Sequence, residues 1–250
     1  MSGLLVARRG SLHPRRASSP GGGYADEVAA DSPVAWWRFE ETSGSTVADE
    51  VGSNDGTVFG ANLDVSGAPG TGSAASFDGV DDYVNIPDAS ALRLTGSITL
   101  EAWVYRPSAA TGFRTVFAKG RTTSVTSLQT NYSLRVTSNR QLSFRYDVGS
   151  TDHDYRTGND AVPVDEWAHV AFTFTYGTGS SAKPYVNGTE VSASWVSGSG
   201  GSTPNTNSEP LLLGVYHDQN FWSGRIDEVA LYTTALSAAR IEAHYNAGAA

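Results

Sequence analysis

The chain has no cysteine in 250 residues. Without thiols there is no disulfide, no thiolate metal site and no cysteine nucleophile, so stability has to come from packing alone. Charged residues amount to only 17%, yet no apolar run approaches the roughly 20 residues a bilayer-crossing helix needs, which excludes a membrane span. Cations are scarce: 17 Lys and Arg stand against 26 Asp and Glu, a net charge of −9. That balance argues against general nucleic-acid binding, which requires clustered cations to displace phosphate counterions. The histidines, His13, His153, His169, His217 and His244, show no zinc-ligand spacing. No serine sits in a Gly-x-Ser-x-Gly elbow, and Gly-rich runs such as 197–202 lack the Lys-Ser/Thr ending of a phosphate loop. These absences point away from catalysis and toward binding or assembly.

What the chain does have is glycine, 27 residues of it, with 39% hydrophobic and 10% aromatic residues. This composition suits many tight turns between short strands. Charge is distributed unevenly. Residues 1–23 hold Arg8, Arg9, Arg15 and Arg16 and no acid, so the acidic excess falls on the rest. The apolar patch Leu4, Leu5 and Val6 is too short for an export-signal core. The segment reads either as an unstructured tail or as an extended basic arm that docks on a partner surface, with Gly21, Gly22 and Gly23 as the hinge into a domain over 24–250.

From 34 to 232 apolar residues alternate over short runs, the period-2 pattern of strands with one buried face. Ile98, Leu100, Ala102 and Val104 share a face, opposite Ser97, Thr99, Glu101 and Trp103. Tyr132, Leu134 and Val136 group together, as do Leu142, Phe144, Tyr146 and Val148, and Val170, Phe172, Phe174 and Tyr176. Further strands are expected near 35–40, 82–87, 114–119, 184–187, 211–216 and 224–232. Turns such as Asp78-Gly79 and Asn187-Gly188 bound them. A helix is expected over 236–246 with Ser237 as its N-cap and Gly248 as a stop, and the Gly/Ser-rich stretch 192–207 reads as a long loop. The predicted class is all-β, a two-sheet antiparallel sandwich with one short C-terminal helix.

Six ordered segments resemble one family. They are Val34–Glu41 (VAWWRFEE), Ser76–Val84 (SFDGVDDYV), Ile98–Val104 (ITLEAWV), Trp167–Ala171 (WAHVA), Tyr185–Thr189 (YVNGT) and Gly224–Tyr232 (GRIDEVALY). Over roughly 30–247 the chain is similar to the laminin-G-like jelly rolls of the concanavalin A-like lectin and glucanase superfamily. Its opening, Tyr24–Val28 followed by Asp31–Trp37, is similar to modules in tailed-phage structural proteins. The resemblance implies a non-enzymatic virion protein, in a head-decoration or tail-associated role. Its arm would anchor it to other virion proteins, and it would form a homo-oligomer in the assembly. The alternative it implies is a calcium-assisted carbohydrate-binding module, extracellular or on a cell surface, and a displayed jelly roll that touches glycans satisfies both. In related jelly rolls an Asp of the last strand holds a structural calcium, and Asp227 occupies that position here, with Asp78 and Gly79 in a turn that could add oxygens. The other reading has Asp227 hydrogen-bonding that turn without metal.

Glycosidases of this superfamily take facing carboxylates from one strand, and their Glu-x-Asp-x-Glu pattern is absent. Asp152-His153-Asp154 is the nearest approach, read as a solvated loop or as a sugar- or metal-binding loop. For sugar stacking, Trp36, Trp37, Trp103 and Trp167 match packing positions of the family. Trp195, Tyr216, His217, Asp218, Asn220 and Trp222 fall in loops or loop ends and are the ligand candidates, with contact to a neighbouring subunit as the other reading.

Overall fold

The computed structural model describes residues 23–120 and 129–250; Arg8, Arg9, Arg15 and Arg16, and with them the docking-arm expectation, lie outside the described residues. In chain order the elements are α1 (Tyr24–Ala30), β1 (Ala35–Trp37), β2 (Thr46–Val47), β3 (Gly56–Phe59), β4 (Asn62–Ser66), β5 (Ser73–Asp78), β6 (Tyr83–Ile86), β7 (Ser97–Tyr105), β8 (Arg114–Lys119) and β9 (Tyr132–Val136). They continue with β10 (Leu142–Val148), β11 (Thr151–Thr157), β12 (Trp167–Thr175), β13 (Lys183–Val186), β14 (Thr189–Glu190), β15 (Ala193–Ser197), β16 (Leu211–Leu213), β17 (Ser223–Tyr232) and α2 (Ala238–Gly248).

The strands form two antiparallel sheets. One runs β14-β13-β12-β7-β17-β5-β4 with β1 added beside β17, and the other runs β15-β11-β10-β9-β8-β16-β6-β3-β2. The inward residues of the alternating runs meet between them, so Ile98, Leu100, Val104, Leu134, Phe144, Val170 and Phe172 share one core. Phe144 of one sheet stacks on Phe172 of the other, ring centroids 4.2 Å apart. Burying each such ring stabilises the fold by about 1.5–3 kcal/mol.

The outward face of the first sheet is also buried, beneath the two helices. Trp103, Ala230 and Tyr232 pack with Tyr24 and Val28 of α1, and Ala171 and Tyr185 pack with Ile241 of α2. Ser237 caps α2 as expected, its hydroxyl accepting from the Arg240 amide. Helix α1 carried no capping signal, since Gly23 has no side chain to offer; its pair Tyr24 and Val28, one turn apart, is all it buries. Asn187, at φ 49°, and Gly188, at φ 74°, make the tight turn between β13 and β14.

The expected long loop at 192–207 contains strand β15, which pairs with β11 through Tyr155↔Trp195 and Arg156↔Ser194. Its half-buried positions Ala193, Trp195 and Ser197 alternate with exposed ones, a period hidden by small polar residues. Strand β17 changes neighbours part-way. Ser223–Ile226 pair with β5, Val229–Leu231 pair with β1, and the bulge between them holds Glu228 at φ 51°.

Candidate functional site

The sheet without helices presents polar side chains outward from β9, β10 and β11. Period-2 alternation turns Ser133 and Arg135, then Ser143, Arg145 and Asp147, then Asp152, Asp154 and Arg156 away from the core. Register aligns them across the strands: Arg135↔Ser143 and Ser133↔Arg145, Ser143↔Arg156, Arg145↔Asp154 and Asp147↔Asp152. Asp152 and Asp154 therefore lie on a strand; the loop reading is corrected. The alternation was present in Thr151–Thr157, but His153 and Tyr155 as the inward residues did not read as a core face.

These charges are mutually paired. Asp154 accepts from Arg135 (3.0 Å), Arg156 (2.5 Å) and the Ser143 hydroxyl (2.8 Å). Burial works against its ionised form, but the Arg156 and Arg135 guanidiniums and Ser143 outweigh it and hold the carboxyl below the ordinary range. Asp147 accepts from Arg145 at 3.1 Å and from the Thr130 amide at 2.9 Å. Arg145 also lies 3.8 Å from Asp152. Accessibility rises toward one rim: the side chains of Arg145, Arg156 and Asp152 are 17%, 27% and 37% exposed.

Two rings close over this array. Tyr216 and Phe113 each stand 5.7 Å from the Arg135 guanidinium carbon, and Phe113 also stands 5.3 Å from that of Arg156. The Tyr216 hydroxyl is 2.8 Å from Thr130 Oγ1. Tyr216 opens the β16–β17 loop, in which His217, Asp218 and Asn220 all adopt positive φ of 46°, 48° and 57°. Three non-glycine residues in this region cost of order 1–3 kcal/mol each, a strain found concentrated at functional loops. The Tyr216 amide bonds the Gln219 carbonyl, and the Asn220 carbonyl accepts from the Thr115 amide, which fixes the loop on β8. His217 Nδ1 lies 3.8 Å from Asp218, whose side chain is 92% exposed.

The structure thus gathers Asp152, Asp154, Tyr216, His217, Asp218 and Asn220 around one face. Arg135, Arg145, Arg156, Asp147 and Phe113 were not foreseen. The alternation placed Arg135, Arg145 and Asp147 opposite an apolar face, but only the register shows that they meet Arg156 and Asp154.

Trp222 is not in this group. It is wholly buried in the inter-sheet core, with its indole N–H on the Arg225 carbonyl, so the loop-end reading is corrected. Its amide bonds the Gly214 carbonyl, which closes the loop and turns the ring inward. Trp195 is half-buried. It packs on Tyr155 (4.8 Å) and Phe174 (5.8 Å) and lines an open groove of about 480 Å³ with Tyr155, Ser194 and Ser199 at the sandwich edge.

Asp227 and Asp78 do not meet. The register sets Asp78 opposite Ser223, four residues from Asp227 along the strand, or about 13 Å. Asp78 accepts from the Val80 amide and lies in its own turn with Gly79 at φ 83°. Together with Asp81 and Asp82 it forms an acidic group. Asp227 instead accepts from the Thr71 hydroxyl (2.5 Å) and the Ala68 amide (3.2 Å), so the expected bond to the Asp78-Gly79 turn is corrected. Burial pushes Asp227 up to about 8, the Thr71 hydroxyl and Ala68 amide pulling the other way. Next to it, burial and the Asp227 carboxylate raise Glu228, which receives Arg38 (3.1 Å) and the Trp36 indole N–H (2.7 Å).

The described residues around Asp227 fit a calcium ion. Asp227 Oδ1 is buried without a hydrogen-bond partner. A side chain at Gly67 would strike Asp227 Oδ2 and the Gly72 carbonyl, and one at Gly72 would strike Glu40 Oε1. The two glycines thus let these hard oxygens, the ligand type calcium takes, approach the backbone closely.

The family model of the concanavalin A-like lectin/glucanases superfamily matches residues 78–242. No curated protein matches the chain by sequence. Among solved structures it is similar to domain 4 of an extracellular arabinanase from Geobacillus stearothermophilus, in complex with arabinotriose. That similarity has 22% identity and a TM-score of 0.60, over 85% of this chain and 98% of that one. A Trypanosoma rangeli sialidase matches at 18% identity and TM-score 0.59, over 84% of this chain and 32% of the sialidase. The botulinum neurotoxin serotype D binding domain matches at 12% and 0.63, over 88% of this chain and 52% of that domain. The fold therefore occurs both in parts of glycoside-cleaving enzymes and in binding domains. Two sheets, their inward core and the family match over two thirds of the residues lead to one statement: the chain belongs to the concanavalin A-like lectin/glucanases superfamily.

Proposed function

We propose that this jelly roll is a non-catalytic glycan-binding module, with its site on the outward face of β9–β11 beneath the β16–β17 loop. The observation that carries it is the Arg135, Arg145, Arg156 and Asp147, Asp152, Asp154 array beside Tyr216 and Phe113. Guanidiniums and carboxylates held in fixed positions suit sugar hydroxyls, and the half-buried Phe113 ring, backed by the buried Tyr216, suits a C–H face. Hydrolysis needs one carboxyl to keep its proton and donate it; Asp154 is held ionised between two arginines, and Asp147 is engaged by Arg145. The arabinotriose bound by the arabinanase domain supports an oligosaccharide ligand. Titration of the full chain against an oligosaccharide panel tests this reading. Binding lost in Tyr216→Ala, without release of reducing sugar, is the expected result, and a panel with no ligand overturns it.

A calcium ion at Asp227 and Glu40, with the Gly72 carbonyl, would add positive charge to a carboxylate group that Arg38 balances in part. It would tie β17 to the loop before β5 on the face opposite the glycan site.

A second reading, display on a particle, rests on the four arginines and no acids of residues 1–23 ahead of an acidic domain. Deletion of that segment should then release a folded domain from the particle; unchanged particle binding refutes it.

A further inference from the structure

On the face that carries the glycan reading, besides His217 Nδ1 in the β16–β17 loop, three buried polar atoms lack any hydrogen-bond partner among the described residues: Arg135 Nε, Arg156 Nε and Thr115 Oγ1. They are not scattered. Register aligns Thr115↔Arg135, Arg135↔Ser143 and Ser143↔Arg156, so all three come from one row across β8, β9, β10 and β11. Folded proteins leave few buried donors unmade, because each costs about 1–3 kcal/mol. Arg135 is itself almost wholly buried, and its Nη2 is already committed to Asp154 and Ser143. The contacts of Arg135 and Arg156 with Phe113 supply a ring but no oxygen.

Charge sharpens the point. With the four arginines of residues 1–23 set aside, the chain has 13 Lys and Arg against 26 Asp and Glu. Within that acidic domain the strands β9–β11 of this face pair three arginines with three aspartates. At the open rim Arg145 and Arg156 stand beside Asp152, with Asp218 on the loop next to them.

We infer that the ligand is an acidic saccharide, its carboxylate or sulfate oxygens received by the row of Arg156, Arg135 and Thr115 and its hydroxyls by Asp152 and Arg145. The inference rests on the glycan-binding reading and narrows it. An anionic oxygen pair supplies the acceptors this row lacks, and charge-assisted bonds to guanidinium are roughly twice as strong as neutral ones.

The test is a glycan array containing uronate-bearing, sulfated and neutral oligosaccharides, probed with the full chain. Each acidic hit is then titrated beside its uncharged counterpart, the methyl ester for a uronate and the desulfated sugar for a sulfate, which also tells the two sources apart. The charged form is expected to bind about tenfold or more tightly, with a preference that shrinks as salt rises. Arg156→Gln should erase the preference in protein that still unfolds cooperatively; Arg145→Gln is the second variant should the first not fold. Equal affinity for charged and uncharged forms, or neutral ligands alone, overturns the inference and leaves the glycan reading standing. A preference that survives both variants also overturns it. An array blank for all sugars removes both.

Discussion

Arg135 of β9 reaches past Ser143 of β10 to meet Asp154 of β11 at 3.0 Å, joining strands that are not neighbours. Burial works against the Arg135 charge, and Asp154 is the group that offsets it. The pair is thus a strut through the floor of the site.

Removing one partner of such a pair leaves an uncompensated buried charge, at a cost of about 3–5 kcal/mol. Asp154→Ala should lower stability by that amount in urea unfolding. Asp152→Ala, at the exposed rim, should change it by less than about 0.5 kcal/mol. Equal effects would show that the floor does not depend on Asp154.

His244 provides a pH response on the other side of the molecule. Its Nδ1 faces Glu101 Oε2 at 3.0 Å, and its Nε2 faces Asp31 Oδ2 at 2.9 Å and the Glu27 carbonyl at 3.2 Å. Both ring nitrogens face acceptors, so the ring is an imidazolium clamping α1 and α2 to β7. Arg240 pairs with Asp31 and Glu27 from the same helix, while His169 and Tyr232 bond Glu101. Burial opposes the His244 charge, but the Glu101 and Asp31 carboxylates overcome it and raise its pKa. Burial likewise opposes the Glu101 charge, which the two histidines hold well below the usual carboxylate range.

The folded state therefore keeps a proton on His244 that the unfolded chain loses near pH 6.5, so stability should fall as pH rises above about 6.5. The Glu101 contribution is complete above about pH 4.3 and is lost below it. Thermal melts across pH should show both limbs, and His244→Gln should flatten the upper one while lowering the midpoint near pH 6. A variant whose upper limb is unchanged would place that limb elsewhere.

Trp222 and Trp195 separate packing from recognition. Trp222→Ala empties a core site and should cost about 3–5 kcal/mol. Trp222→Phe should leave glycan affinity intact, because the indole faces no solvent. Trp195→Ala should weaken the edge pairing of β15 with β11 without changing affinity at the outward face. A Trp222→Phe variant that folds and no longer binds sugar would contradict this placement of the site.

Calcium addition to chelator-treated protein should raise the unfolding midpoint, since an ion bound only by the folded state stabilises it by mass action. Asp227→Asn should remove the response, whereas Asp78→Asn should not. A calcium response that needs Asp78 and not Asp227 would move the ion to the Asp78–Asp82 turn.

The sandwich was legible wherever one strand face was made of large apolar residues. Runs 97–104, 132–136 and 142–148 carry their period in Leu, Val, Phe and Tyr, and those strands lie where the alternation put them. Strands β11 and β15 have the same period written in Asp, His, Ser and Trp, a composition that reads as loop. Trp222 shows the converse, since an aromatic at a loop end says nothing about which way the loop closes.

The order of residues by itself determined which side of each strand is apolar, where the turns fall and which family the segments resemble, because these are properties of neighbours one to four positions apart. Only the tertiary structure decided that Arg135, Asp154 and Tyr216 meet, that Asp227 turns to Thr71 and Ala68 rather than to Asp78, and that His244 sits between two carboxylates. Those meetings depend on strand register and on burial, which set distances and pKa values through contacts between residues up to more than a hundred positions apart.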